Sequence, residues 1–361
     1  MEKAGYSFDS VADVAKWDHP DSTWNKAAMS TDQADPFCCR TEWQLSYHEA
    51  MQPDRELFVR EVPGSLVAFC AYPPPLTSQD SSESFEFPHA YVPVESGWCF
   101  GSPLLGPDAV ELLQDLVVEL TPDSGDTSPT FVISGIRPGS KQLRDIVARM
   151  GSQCEFGQGE SETLCNASLE GGVDGFLSRR SKKHRRNMGK QQRRAAREGV
   201  TFERHAPTDV ATAAAVYDRI VAIENTSWKG IGECGMSTGR SLRYYDVMLR
   251  RLAMSGGARV MFALHEGRDI GFIFGGLAGS PEGVVYRGQQ FSYANDWQSY
   301  SIGNLLQMEQ IKWLCEDGVV RYDMGPLMDY KKHWTENQFS IAPLMLRLKS
   351  PGQRAQRELH L

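Results

Sequence analysis

One order of elements is spelled twice along this chain, and that repeat narrows what it can fold into more than any other feature. Residues 56–73, ELFVREVPGSLVAFCAYP, hold two β-branched and aromatic runs around Pro63-Gly64, the pattern of a β-hairpin. Ala109, Val110, Leu112, Leu113, Leu116, Val117 and Leu120 then recur at helical spacing, and TFVISGI at 130–136 reads as a strand. The second half repeats the order. RVMFALHEGRDIGFIFGGL at 259–277 predicts strand, turn at Glu266-Gly267-Arg268 and strand, and VVYRGQQF at 284–291 predicts another strand. A helix starts near Ser301 and stops before Gly318, a natural C-cap, and VVRYDM at 319–324 closes the set. This helix is apolar around most of its circumference, through Ile302, Leu305, Leu306, Met308, Ile311 and Leu314. The repetition implies a duplicated α/β module with a mixed, mostly antiparallel sheet, and 361 residues suffice for two such domains. The polar stretch PLTSQDSSESFEFP at 75–88 is expected to be a surface loop.

Charge is distributed unevenly. Ten of the 38 Lys and Arg residues fall between Arg179 and Arg197 with no acid among them, so the other 28 face all 46 Asp and Glu. The run shows no apolar residues at core spacing between Leu177 and Val200, and a helix polar all round needs solvent or a charged partner on every side. It marks a boundary near 170–200. Arg179, Arg180, Lys182, Lys183, Arg185, Arg186, Lys190, Arg193 and Arg194 are candidate RNA contacts. The alternative is a solvated arm or a brace against the acidic remainder. No aromatic residue interrupts the run to stack a base. His184 reads as a bystander within it.

Other classes are disfavoured. No apolar run approaches the roughly 18–20 residues of a membrane span, and the start MEKAGYSFDSVADVAKWDHP has acids where a signal peptide is apolar, so a cytoplasmic location is expected. The eight cysteines show no C-x-x-C spacing, which argues for reduced thiols and against zinc. Vicinal Cys38-Cys39 read as small packing residues, and the sequons at Asn166 and Asn225 carry no meaning in a chain that is not secreted.

Three stretches in sequence order, SRRSKKHRRNMGKQQRRAAREGVTFE at 178–203, ENTSWKG at 224–230 and RYDMGPLMDYKKHW at 321–334, resemble the CelD-like branch of GNAT-fold acyltransferases, related to the Fem peptidoglycan aminoacyltransferases. The pattern Pro36-Phe37 to Glu42-Trp43 and FGSPLLGP at 100–107 extend the likeness weakly toward the N-terminus. Ser301-Ile302-Gly303 and Pro326-Leu327-Met328-Asp329 depart from the usual family motifs, and the pyrophosphate loop of ordinary acetyl-CoA-binding relatives is missing. The resemblance implies tandem GNAT-like α/β domains, each a mixed mostly antiparallel sheet flanked by helices. We divide the chain into an N-terminal domain at 1–170, a basic helical connector at 171–200 and a catalytic domain at 201–361. It further implies acyl or aminoacyl transfer to an amine, without a metal.

Such chemistry needs a deprotonated amine, a stabilised oxyanion and a protonated leaving group. It needs no covalent nucleophile, and the chain shows no Ser-His-Asp order. Asp323, at a strand end, or Glu224, at a helix end, is the expected base, directly or through water. An ion pair with one of the many arginines is the plain alternative for each. Lys331 matches the lysine of the family's Tyr-Lys-x-x-Trp motif and would neutralise a phosphate or the oxyanion; otherwise it sits in a solvated turn. Ser301, Gly303 and Asn304 open a helix whose N-terminus suits a phosphate, unless Ser301 merely caps it and Gly303 relieves packing. The strand from Tyr286 to Gln290, with Arg287 and Gln289, completes the donor side. Trp228, Lys229, Tyr330 and Trp334 are expected to wall the acceptor pocket, although tryptophan also fills cores.

The leading expectation is an acyl-CoA-dependent N-acyltransferase acting on a small amine, with acyl-CoA a cosubstrate and no permanently bound cofactor. The second changes the donor to an aminoacyl-tRNA. A third is a catalytically silent RNA- or protein-binding module on the same fold. DNA is not an expected partner, and oligomeric state is unreadable from the sequence.

Overall fold

The computed structural model describes residues 14, 16–72, 90–122 and 128–349. The expected loop at 75–88 lies outside the described residues. The chain forms two units, one of residues 1–48, 52–162 and 340–361, the other of 49–51 and 163–339.

The first unit opens with two helices that the sequence reading did not place, α1 (Thr23–Ser30) and α2 (Thr41–Met51). Its hairpin joins β1 (Leu57–Val62) to β2 (Ser65–Tyr72) through Gly64 at φ 82°, a conformation that favours glycine. β3 (Ala90–Pro93) adds antiparallel to β2, and β4 (Leu104–Leu105) pairs with β2 as well. α3 (Ala109–Glu119) then leads to β5 (Thr130–Ile136), parallel to β3. α4 (Lys141–Met150), capped by Ser140 Oγ, and β6 (Cys154–Gln158) follow. The predicted hairpin, helix and strand stand where the pattern put them. Leu112, Leu113, Leu116 and Val117 of α3 pack on Val67, Phe69, Phe131 and Ile133 of the sheet, so the helical spacing and the strand alternation bury one common layer.

The second unit repeats the order with longer elements. β7 (Glu162–Ser168), α5 (Gly172–Ser178), α6 (Lys182–Arg197) and β8 (Thr201–His205) precede two helices, α7 (Val210–Thr226) and, after the short α8 (Trp228–Ile231), α9 (Gly239–Met254). The hairpin β9 (Ala258–His265) and β10 (Arg268–Ser280) turns through Glu266 and Gly267, both at positive φ, as a tight two-residue turn requires. β11 (Gly283–Tyr293), α10 (Ile302–Glu316) and β12 (Arg321–Pro326) complete the set. The strands run β7-β12-β11-β10-β9-β8, and β11–β12 is the parallel pair. Each unit therefore has one parallel pair at the same place in its element order, β3–β5 and β11–β12, which is the mark of the duplication. Gly318, at φ 73°, ends α10 as expected, with Val319 N donating to Leu314 O.

The domain boundaries differ from the expected ones in two ways. α6 is no free connector: Met188 and Ala195, seven residues apart, are buried against the second unit's cores. Two apolar side chains one heptad apart are too sparse to register as a pattern, yet they suffice to seat a helix. The last strand, β13 (Asn337–Leu348), gives its residues 340–348 to the first unit, where it lies between β5 and β6. Leu344, Leu346 and Leu348 enter that unit's core. The first unit is thus completed by the far end of the chain. Leu346→Ala, at a site 1% exposed, is expected to lower stability by about 2–5 kcal/mol, read by urea denaturation.

Candidate active site

β11 and β12 pair over three residues only, Val285 to Arg287 against Arg321 to Asp323, and then part. Past Arg287 the backbone of β11 has no strand partner on that side among the described residues. β11 also bulges there, since Gly288 faces Gly275 and Gln290 faces Phe274, leaving Gln289 unopposed. The resulting cleft is lined by Gly288, Gln289, Gln290, Phe291, Tyr322, Met324, Tyr330 and Lys331, with Gln307 of α10 behind. The counterpart gap in the first unit is occupied. There β3 and β5 pair over two residues, and beyond them the segment 95–102 fills in, with Gly135 N donating to Cys99 O and Ser134 Oγ to Gly101 O. Glu95 anchors this filling: its buried carboxylate accepts N–H groups from Trp98, Cys99, Phe100 and the Trp43 indole. Burial pushes Glu95 up to about 7 against those four donors. Of the two gaps, the one in the second unit stays open as a cleft.

A cavity of about 290 Å³ adjoins this cleft, and Gln290 borders both. Its lining adds Trp228, Lys229, Cys234, Gly235, Met236, Ser241 and Tyr245. Lys229 Nζ donates to Phe291 O at 2.9 Å and to Gln290 Oε1 at 3.4 Å. Burial lowers its proton affinity, and the charge of Glu224 opposes that effect. Gln290 Nε2 donates to Tyr245 Oη at 2.8 Å, so Lys229, Gln290 and Tyr245 form one bonded chain along the wall. Glu224 itself is enclosed, with Ser227 Oγ donating to Oε2 and Met236 N to Oε1. Gly235 lies against that carboxylate so closely that a Cβ there would stand 2.4 Å from Oε1.

Residues 182–332 match the acetyltransferase (GNAT) domain family. The chain carries a GNAT domain. Its fold is shared over most of the chain with solved structures. FemX, 12% identical, aligns with 84% of this chain and 90% of its own at a TM-score of 0.57. A protein of unknown function from Bacteroides thetaiotaomicron VPI-5482, 11% identical, aligns with 95% and 99% at 0.57. L-PGS from Bacillus licheniformis, 13% identical, aligns with 91% and 96% at 0.52. No curated protein matches the chain by sequence similarity. Among the described residues no helix is long and apolar enough to cross a membrane.

The GNAT domain gathers some of the predicted site residues and disperses others. Trp228, Lys229 and Tyr330 border the cavity or the cleft. Trp334 does not: it is 2% exposed, stacked on Phe176 and edge-on to His184, and belongs to the core. Lys331 is no solvated turn residue, because Nζ donates to Met324 O and Pro326 O, both at 2.7 Å, beside the cleft. Asp323 takes the alternative the sequence left open. Tyr322 and Met324 face the cleft, while Asp323 between them accepts a two-pronged bond from Arg321, at 2.8 and 3.2 Å. Arg287 is likewise buried, donating to Gly288 O, with Gly325 pressed against its guanidinium. Gln289 does line the cleft.

Ser301 sits at the N-cap of α10 in a left-handed conformation, and its hydroxyl accepts from Gln191 Nε2 instead of capping the helix. The first turn of α10 is thus left without a side-chain cap. Gly303 packs against Phe291, where a Cβ would stand 2.8 Å from the ring, and Asn304 is exposed.

The basic run divides in the same way. Arg180 is corrected from a candidate RNA contact to a buried residue paired with Glu336 and stacked on Phe176; burial lowers its proton affinity to about 10. Arg179 also meets Glu336, Arg185 donates to Leu177 O and Arg180 O, and Arg194 lies over Tyr300 and donates to Ser299 O. Lys182, Lys183, Arg186, Lys190, Arg193 and Arg197 stay exposed and make no ion pair among the described residues. At 100° per residue these six fall within about 100° of the circumference of α6. The sequence showed the number of charges; only the helix phase shows that six of them form one stripe, opposite the seam of Met188 and Ala195.

As a core residue, Trp334 changed to Ala is expected to cost about 3–5 kcal/mol in thermal or urea unfolding while leaving ligand affinity of the folded protein unchanged. A wall residue would show the reverse.

Proposed function

We propose that this chain is an N-acyltransferase that moves an acyl group from an activated donor, acyl-CoA in the first instance, to a small amine. The observation that supports it is the junction at Gln290, where the cleft between parted parallel strands meets a separate cavity of a size for a small acceptor. The donor carbonyl lies in the cleft, its oxygen facing the backbone N–H groups of β11 beyond Arg287, which are fixed in place before the reaction begins. Lys331, held by two strand-end carbonyls, brings a positive charge to the same cleft. The first turn of α10, left without a side-chain cap by Ser301, suits the donor's phosphates. The amine attacks from the cavity: the amide C–N bond forms, the C–S bond to the donor breaks, and the thiolate leaves and takes up a proton. Neither carboxylate first considered as base borders the cavity, so the amine's proton passes to water there.

Glu224 then acts as a positioning residue that fixes the loop 227–236. Glu224→Gln is expected to keep kcat within about tenfold of the parent and to leave the pH profile unmoved. A loss of roughly 10²–10⁴ in kcat with a displaced acidic limb would make it the base instead.

The stripe of six exposed cations on α6 favours a second reading, in which the donor is an aminoacyl-tRNA. Six phosphate contacts would give bulk tRNA binding a log–log salt slope of about −4 to −5. Reversing the charge of Lys182, Arg186, Lys190 and Arg193 would flatten it. Weak tRNA binding at all salt concentrations, with thermal stabilisation by an acyl-CoA, supports the first reading.

A further inference from the structure

Resting on the acyl-transfer reading, the geometry points to the acceptor class: we infer that the amine is an α-amino acid with an apolar or aromatic side chain, its carboxylate held by Lys229. Three observations combine. The first is charge. Among the residues that line the 290 Å³ cavity, Lys229 is the one charged group, and it makes no ion pair among the described residues. Two of the three N–H groups of its ammonium are committed to Phe291 O and Gln290 Oε1, which leaves one donor for a ligand. A half-buried ammonium is costly unless its hydrogen-bonding capacity is used, and a ligand carboxylate uses it.

The second is position. Phe291 and Gln290, the acceptors of Lys229, belong to the wall between cavity and cleft, and Gln290 borders both spaces. A carboxylate bonded to Lys229 therefore stands beside the wall across which the attacking nitrogen must reach the donor carbonyl. Amine and carboxylate must be close in the acceptor itself, as they are on one α-carbon. A long diamine or an amino sugar does not place an anion there.

The third is the cavity's mouth. Trp228 is 54% exposed although it is large and apolar. It lines the cavity together with Met236 and Lys229, so a ligand side chain there meets apolar surface beside the ammonium. A single exposed apolar residue is ordinary, but one that lines a cavity fits an apolar ligand group. The volume lies at the lower end for small-molecule sites, about 300–1,000 Å³, which suits a free amino acid and excludes a peptide held along its length.

The test is calorimetric binding of L-phenylalanine, phenethylamine and glycine to the intact chain with no donor present. Phenylalanine is expected to bind roughly 10- to 100-fold tighter than phenethylamine, the worth of one charge-assisted hydrogen bond, and tighter than glycine. Lys229→Met should remove the advantage over phenethylamine, and Lys229→Arg should retain most of it. Equal affinity of phenylalanine and phenethylamine for the parent protein overturns the inference without recourse to any variant. So does an advantage that survives in a folded Lys229→Met protein, or the absence of binding by phenylalanine. Because no donor takes part, failure of the acyl-transfer reading would look different: tight amino-acid binding with no turnover from any acyl donor.

Discussion

The site depends on the early parting of β11 and β12. A parallel pair that stops after three residues leaves strand backbone without its ladder, a state that folded proteins seldom leave unused. The first unit relieves the same defect internally, feeding the segment anchored by Glu95 into the gap between β3 and β5. The second unit leaves the gap open and surrounds it with Gln289, Tyr330 and Lys331. One architecture has thus resolved one constraint in two ways, and the difference separates a scaffold from a candidate reaction centre. The bulge at Gln289 adds to the opening, because an extra residue on β11 bends the strand where the cleft needs width.

Electrostatics around the opening follow from enclosure more than from proximity. Asp323 and Arg321 neutralise each other on one face of β12, and Arg180 and Glu336 do the same beneath α5. Such pairs are weak evidence of net stabilisation, yet losing one partner strands a buried charge. Glu224 is different. Among the described residues it has no bonded cation, and its hydrogen bonds from Ser227 and Met236 tie the end of α7 to the loop carrying Lys229 and Gly235. It fixes the cavity wall and sets the field felt by the lysine at once.

Much of the fold was legible because it rests on periodicity. Both hairpins, α3 and β5 are local patterns whose apolar spacing matches the face they bury, so the chain announces them, while α10, apolar nearly all round, was marked by its ends at Ser301 and Gly318. The duplication was readable for the same reason. What was hidden depends on distant partners. No pattern within 178–203 shows that Arg180 turns inward to a glutamate 156 residues later, or that β13 crosses to the first unit. Around the site, residue types were informative and orientations were not. Asp323 and Lys331 looked equally catalytic as letters, but strand alternation turns one away from the cleft and strand-end carbonyls hold the other beside it. Trp228 and Trp334 looked equivalent too; one lines a cavity and the other is buried between Phe176 and His184.

The closing strand sets an order of events during synthesis. A chain emerging from the ribosome makes β1 to β6 first, yet the strand that belongs between β5 and β6 is translated only after β7 to β12. At about 5–20 residues per second, the roughly 180 intervening residues keep the early half waiting for about 10–35 seconds with one edge of β5 and the surface beneath Leu344, Leu346 and Leu348 unsealed. The second unit needs no segment made so long after its own strands: Trp334 and Glu336, just past β12, complete its contacts. The earlier-made half is locked only when β13 arrives, so that a chain terminated before β13 is left with an open sheet edge as its weakest point.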